Sequence, residues 1–165
     1  MVLPDQIDIR KHFFDAFGNA ETEISARYIV EFCQLRRQGW APFTYKQIDD
    51  FYKSKGHHDG FWFNLLPKQG HIVETDGQYQ IQTSFVDRCF RASLVIESVK
   101  PDGKTISAND KHVGLVSMSP DSPLVENPGK WHATIHTSDD GIASLGVFDT
   151  EEEALTSALD GLVKD

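Results

Sequence analysis

The 165-residue sequence predicts an α+β chain of two small domains, the first made of helices with a two-stranded hairpin, the second of a three-stranded antiparallel sheet packed on one helix. Three observations carry that expectation. Apolar residues recur at helical spacing as far as Ser93, period-two alternation takes over after Lys111, and Gly, Pro or Asp-Gly marks each change of pattern. A composition of 39% hydrophobic and 11% aromatic residues suits a packed core rather than a disordered chain.

The opening segment "PDQIDIRKHFFDAFG" sets Ile9, Phe13, Phe14 and Phe17 along one helical face, with Gly18 to end it. In "NAETEISARYIVEFCQLRRQG" the stripe is Ile24, Tyr28, Phe32 and Leu35. Acidic residues open this second helix, Arg36 and Arg37 fall in its last turn, and Gly39 is its expected C-cap. A capping box of Thr44 and Gln47 starts the third helix, whose buried stripe is Tyr45, Ile48, Phe51 and Tyr52 and whose stop is Gly56. The turn "HHDG" leads to a short helix, "FWFNLLPKQG". In "HIVETDGQYQIQ" two extended runs meet at Asp76-Gly77, a pair suited to the positive backbone angles of a tight hairpin turn. A further short helix, "SFVDRCFRAS", turns Phe85, Cys89 and Phe90 inward.

Residues 98–110 are polar and turn-rich and read as a linker or an exposed hairpin. The expected layout is therefore a first domain at 1–95, a connection at 96–110 and an acidic second domain at 111–165. Three strands follow in the second domain, "HVGLVSMS", "KWHATIHT" and "GIASLGVF". Alternation over 131–137 puts Trp131, Ala133 and Ile135 on one face and His132, Thr134 and His136 on the other. The last helix presents Ala154, Leu155, Ala158, Leu159 and Leu162 as the matching stripe. Thr150 with Glu153 makes its capping box, and the three glutamates 151–153 suit the positive end of a helix better than they suit catalysis.

Helix, helix, short helix and hairpin, in that order, resemble a winged-helix domain over about residues 20–92, preceded by a helical extension. The resemblance implies a helix-turn-helix core in which "DGFWFNLLPKQ" stands in the recognition-helix place and Asp76-Gly77 at the wing tip. Near the C-terminus, "GKWHATIHTSDDGIASLGVFDTEEEALTSA" carries W-x-A-x-I followed by L-G-x-F-D-T-x-E-E-A. It resembles the Apetala-type, or ethylene-response-factor, DNA-binding domain and its relatives in mobile-element proteins. That resemblance implies a three-stranded sheet laid on the major groove and braced by the helix, with Thr134 and His136 at base-facing positions and Ser144 where the family commonly has Trp. The scaffold residues Trp131, Ala133, Ile135, Leu145, Gly146, Phe148, Asp149, Thr150 and Ala154 match. The readers depart from the pattern, since only Lys111, Lys130 and some histidines stand where the family carries several Arg and Lys.

Charge separates the halves. Residues 1–95 hold 11 Lys and Arg against 12 Asp and Glu, whereas residues 96–165 hold 5 against 13. So acidic a second half argues against strong phosphate binding by that part, which needs cations to displace counterions. Cys33 and Cys89, without a C-x-x-C partner, read as buried thiols of a reducing compartment, with one long-range disulfide as the alternative. The N-terminus lacks the basic start and apolar core of a secretory signal, and no apolar run reaches membrane-spanning length, so a cytoplasmic protein is expected. No nucleophile elbow, phosphate-cradling loop or paired-Cys motif occurs, which points away from an enzyme. His57, His58, Asp59 and His71 invite a metal, but adjacent residues chelate one ion poorly and the stretch suits a helix-helix turn. Neither a metal nor a cofactor is expected.

The functional expectation is a non-enzymatic, DNA-associated regulatory or accessory protein. Lys46, Lys53, Lys55, Asn64, Lys68 and Gln69 are its candidate DNA contacts, and Trp62, His132, Thr134 and His136 its candidate partner contacts. The alternative is a protein-interaction adaptor of mobile-element origin that binds no DNA. Double-stranded DNA, a protein and a second copy of the chain are the partners left open.

Overall fold

A computed structural model of the chain describes residues 1–11, 13–99, 102–120, 122 and 124–164. It is a mixed α+β structure with two antiparallel sheets, one of three strands and one of five. The chain divides into two compact units, Val2–Ser93 and Leu94–Asp165, with Met1 grouped in the second.

In the first unit the opening segment is not one helix. A 3-10 turn at Pro4–Gln6 and the short helix α1 (Phe14–Phe17) are separated by an irregular stretch. Asp8 explains the break, because its carboxylate accepts from the Arg10 backbone N–H at 3.0 Å and from the Arg10 guanidinium at 2.8 Å, local bonds that compete with a helical ladder. Phe13 is fully buried, while the Phe14 side chain lies outside the described residues.

Helix α2 (Ala20–Arg36) starts at Asn19, whose side chain accepts from the Thr22 N–H at 2.8 Å. Its buried face is Ala26, Ile29, Val30, Phe32 and Cys33; of the expected stripe Phe32 is buried and Tyr28 half-buried, whereas Ile24 and Leu35 are 43% and 66% exposed. The reason is crowding. The helix packs against the Pro4–Gln6 turn, α1 and the segments after residue 44, and small or β-branched side chains let those backbones approach. It ends at Arg37, which takes the left-handed angle (φ 56°) expected of Gly39. The Arg36 guanidinium donates to the carbonyls of Ala41 at 2.5 Å and Pro42 at 3.2 Å and lies over the Phe32 ring, pinning the loop that follows.

Helix α3 (Tyr45–Ser54) has both arms of the capping box, Thr44 Oγ1 accepting from Gln47 N–H and Gln47 Oε1 from Thr44 N–H. Ile48 and Tyr52 are its fully buried residues. After a 3-10 turn (Phe61–Asn64) and the four-residue helix α4 (Leu65–Lys68), strands β2 (Ile72–Thr75) and β3 (Gln78–Ile81) form a hairpin. Asp76 and Gly77 both take positive φ, 53° and 77°, as the hairpin needs. Strand β1 (Phe43–Thr44) joins on the other side of β3, giving the order β1-β3-β2. Rings of Phe43, Phe63 and Tyr79 fix this sheet to the 3-10 turn, with Phe63 edge-on to Tyr79 at 4.9 Å. Helix α5 (Thr83–Ser93) closes the unit with Phe85, Val86, Cys89 and Phe90 buried. Both cysteines are buried free thiols, and burial pushes Cys33 up to about 11 and raises Cys89 well above the ordinary thiol range.

The second unit has five strands, not three. Residues expected as a linker or an exposed hairpin supply most of an antiparallel hairpin, β4 (Val95–Val99) and β5 (Gly103–Ala108), which extends the sheet. Strands β6 (Lys111–Met118), β7 (Trp131–His136) and β8 (Ile142–Phe148) complete the order β4-β5-β6-β7-β8. Helix α6 (Glu151–Lys164) covers one face, burying Ala154, Ala158 and Leu162 together with Ile106, Val116, Ala133 and Ile135. Each large aliphatic among these contributes about 1.5–3 kcal/mol of burial. Small Ala residues on the helix allow that close seating. Trp131 is only half-buried, at the margin of this core.

Candidate interaction surfaces

Lys46, Lys53 and Lys55 lie on α3 and at its end, and each has a carboxylate partner. Lys46 Nζ is 2.7 Å from Asp50, Lys53 Nζ 2.7 Å from Asp49, and Lys55 Nζ 2.6 Å from Glu31 of α2. Asp49 is held in place from a second side, since its Oδ1 accepts from the Gly60 backbone N–H at 2.8 Å. The Lys53 ammonium and then that N–H hold the Asp49 carboxyl below the usual carboxylate range, and Asp49 in turn raises Lys53. Three cations and three anions thus interleave along the strip, so it presents no net charge to a phosphate backbone.

The other DNA-contact candidates sit on the next segment. Asn64 is half-buried at the end of the 3-10 turn, and Lys68 is exposed in the last turn of α4. Gln69 serves the fold, its amide donating to Thr22 Oγ1 of α2 at 3.1 Å. Of the aromatics, Phe63 is buried and Trp62 is 42% exposed, while the Phe61 side chain lies outside the described residues. The segment is a turn of 3-10 helix running directly into the single turn of α4, which contains Pro67, and Phe63 and Leu66 are its buried apolar side chains.

The histidines do not converge. Tyr28 Oη and His57 Nε2 are 2.8 Å apart, His58 is exposed beside Asp59, and His71 packs against Phe17 and Phe85. Among the described residues no group of three or more His, Cys, Asp or Glu is arranged to hold a metal ion. No helix of the described residues is long and apolar enough to cross a membrane.

In the second unit the register puts His132 beside Ser117 and Val147, and Thr134 beside Leu115 and Ser144. These residues and His136 lie on the sheet face opposite α6, because their neighbours Ala133 and Ile135 are the buried ones. The His136 ring meets His112 edge-on at 5.3 Å, and His132 Nε2 is 2.6 Å from Ser119 Oγ. Among the described residues of the five strands this outer face carries one charged residue, Glu97, and no Lys or Arg. Lys104 is turned to the helix side, 2.6 Å from Glu151, and Lys130 pairs with Asp149 at the rim.

A surface that motif reading passed over lies beside β8. An open groove of about 890 Å³ runs between this strand and α6, lined by Leu145, Phe148 and Gly161 and by the charged residues Asp149, Glu152, Glu153, Asp160 and Lys164. Its signal in the sequence is a strand without charge or proline followed by acidic residues at helical spacing. No protein-family model, curated protein or solved structure matches the chain.

Proposed function

We propose that the chain is a non-enzymatic protein-interaction module in which two nucleic-acid-binding scaffolds present partner surfaces rather than DNA contacts. The first unit is read as a winged helix, supported by the run α2, β1, α3, α4, β2, β3 and by the hairpin's place in the order β1-β3-β2. The second is read as an Apetala-like sheet and helix enlarged by β4 and β5.

The observation that carries the interaction reading is the matching of each strip lysine by a carboxylate, with an outer sheet face that bears no Lys or Arg among the described residues. A surface ion pair is worth only about 0–1 kcal/mol, so breaking one would not by itself forbid phosphate binding. The three carboxylates would nonetheless remain beside the phosphates and offset the counterion-release gain that drives such contacts.

Titration of fluorescently labelled duplex DNA with the full chain at low salt tests the reading. The expected result is no saturable binding. A DNA affinity that falls steeply with salt, and falls again in Lys46→Ala with Lys53→Ala, would return the function to DNA.

A further inference from the structure

The face of the five-stranded sheet opposite α6 has a pattern that no sequence motif explains. The register sets Val99, Gly103, Ser117, His132 and Val147 in one row across β4 to β8. Glu97, Thr105, Leu115, Thr134 and Ser144 form the next row. In the third, Val95 pairs with Ser107 and Ser107 with His112, the His112 ring meets that of His136, and His136 pairs with Ile142. Two β-bulges, at Ile106/Ser107 and at Ala133/Thr134, lie within this grid, and the rows follow the pairing on either side of them. Apolar residues thus stand at the four corners, with Leu115 at the centre. Ile142 is 71% exposed, Val147 45% and Val99 39%, while Val95 and Leu115 are half-buried.

Charge says what covers such a face. Residues 96–165 hold 13 acidic against 5 basic groups, yet Glu97 is the one charged residue among the described residues of this face. A second copy therefore meets less repulsion here than a unit so acidic offers on average. Two copies of a sheet packed face to face are related by a two-fold axis lying between them, either across the strands or along them. An axis across the strands sets β4 on the partner copy's β4, with Glu97 against Glu97 and His132 against His136. An axis along the strands sets β4 on the partner copy's β8 and the central β6 on β6. Val99 then faces Val147, Val95 faces Ile142, Leu115 packs on its own copy, and Glu97 meets the Ser144 hydroxyl. Gly103 and Ser107 leave room for the rings of His132 and His136, and the two Glu97 carboxylates lie about 19 Å apart laterally.

The face measures roughly 24 Å by 20 Å, so two copies bury about 1,000 Å² in total, where specific interfaces begin. Next along the chain, the described turns carry Asp102, Lys130 and Asp149 at one rim and Asp110, Lys111, Asp139 and Asp140 at the other. Both rims are net acidic, so salt favours association by screening them.

We propose that two copies of the chain associate through this face as an isologous pair of packed sheets, β4 of each copy against β8 of the other. The proposal rests on the interaction-module reading and names the partner as a second copy.

Sedimentation equilibrium of the full chain, between about 5 µM and about 500 µM in about 150 mM sodium chloride, is the test. A reversible monomer–dimer equilibrium in the micromolar range is expected, weaker at about 10 mM salt. Val99→Lys and Val147→Glu, both at exposed positions, should each weaken it at least tenfold. A chain carrying both substitutions should associate at least fivefold more tightly than either single variant. Positions 99 and 147 lie on opposite edge strands of one sheet, so their charges meet only across two copies. Equimolar mixtures of the single variants should likewise favour the mixed dimer.

A chain that stays monomeric at the highest concentration overturns the proposal, as do single variants that dimerise like the wild type, or a double variant no tighter than the singles. Duplex DNA titrated in parallel separates the two levels. DNA binding would strike at the interaction-module reading itself, whereas a monomer that is also silent toward duplex removes only the self-association.

Discussion

His71 shows how a single side chain couples the first unit to pH. Its ring packs against Phe17 and Phe85, with centroids 5.3 and 5.6 Å away. Burial, and after it the positive charge of Arg88, lowers its pKa below the ordinary 6.5. The unfolded chain therefore takes up a proton near pH 6.5 that the folded chain binds only at lower pH. The contribution is fully present above pH 6.5 and is lost as pH falls through the folded value. We expect the urea midpoint of the wild type to fall further than that of His71→Phe between about pH 7.5 and about pH 5. Arg88→Gln should shrink that difference by relieving the charge. Parallel curves for wild type and His71→Phe would show instead that this imidazole is hydrated as in the unfolded chain.

Among the elements, strand β5 makes the most demanding approach. A Cβ on Gly103 would sit 2.8 Å from the Val116 carbonyl oxygen and 3.3 Å from Val99 Cγ2, and the first contact is with backbone that cannot rotate away. Gly103→Ala should cost about 1–3 kcal/mol of stability, read as a lower urea midpoint. An unchanged midpoint would mean that β5 and β6 can separate there at no cost. The sequence left this stretch as a linker or an exposed hairpin, because Pro101-Asp102-Gly103 and Asn109-Asp110 bound short runs in which Ser, Thr and Lys stand among the apolar residues. What places them in the sheet is the pairing of β4 with β5 and of β5 with β6, which local composition does not encode. Where a local bond decides, the sequence was legible: both Thr caps and the Asp76-Gly77 turn have the geometry their residues demand. The face of α2 is turned from the expected one, since neighbours on several sides bury Ala26, Ile29, Val30 and Cys33 beside the expected Phe32 and leave Ile24 and Leu35 exposed. The β8 groove eluded motif reading because an edge is defined by the strand that is missing beside it.

For the whole molecule, each compact unit carries its own apolar core, and among the described residues of the second it comprises Ile106, Ala108, Val116, Ala133, Ile135, Ala154, Ala158 and Leu162. So small a core leaves a narrow margin of stability. Residues 96–165 add an excess of eight acidic charges, 13 against 5, whose mutual repulsion opposes the compact state. The ion pairs Lys104–Glu151 and Lys130–Asp149, among the described residues, act the other way. Exposed pairs contribute about 0–1 kcal/mol each, and salt weakens them and the repulsion alike, so the larger set of like charges decides the sign. A fragment beginning at Leu94 should thus fold alone, with a cooperative thermal transition whose midpoint rises between about 10 mM and about 150 mM sodium chloride. Circular dichroism checks both claims. A midpoint that falls with salt would make the two ion pairs the dominant electrostatic feature, and a melt without a cooperative transition would mean that the sheet and α6 do not form a self-sufficient core.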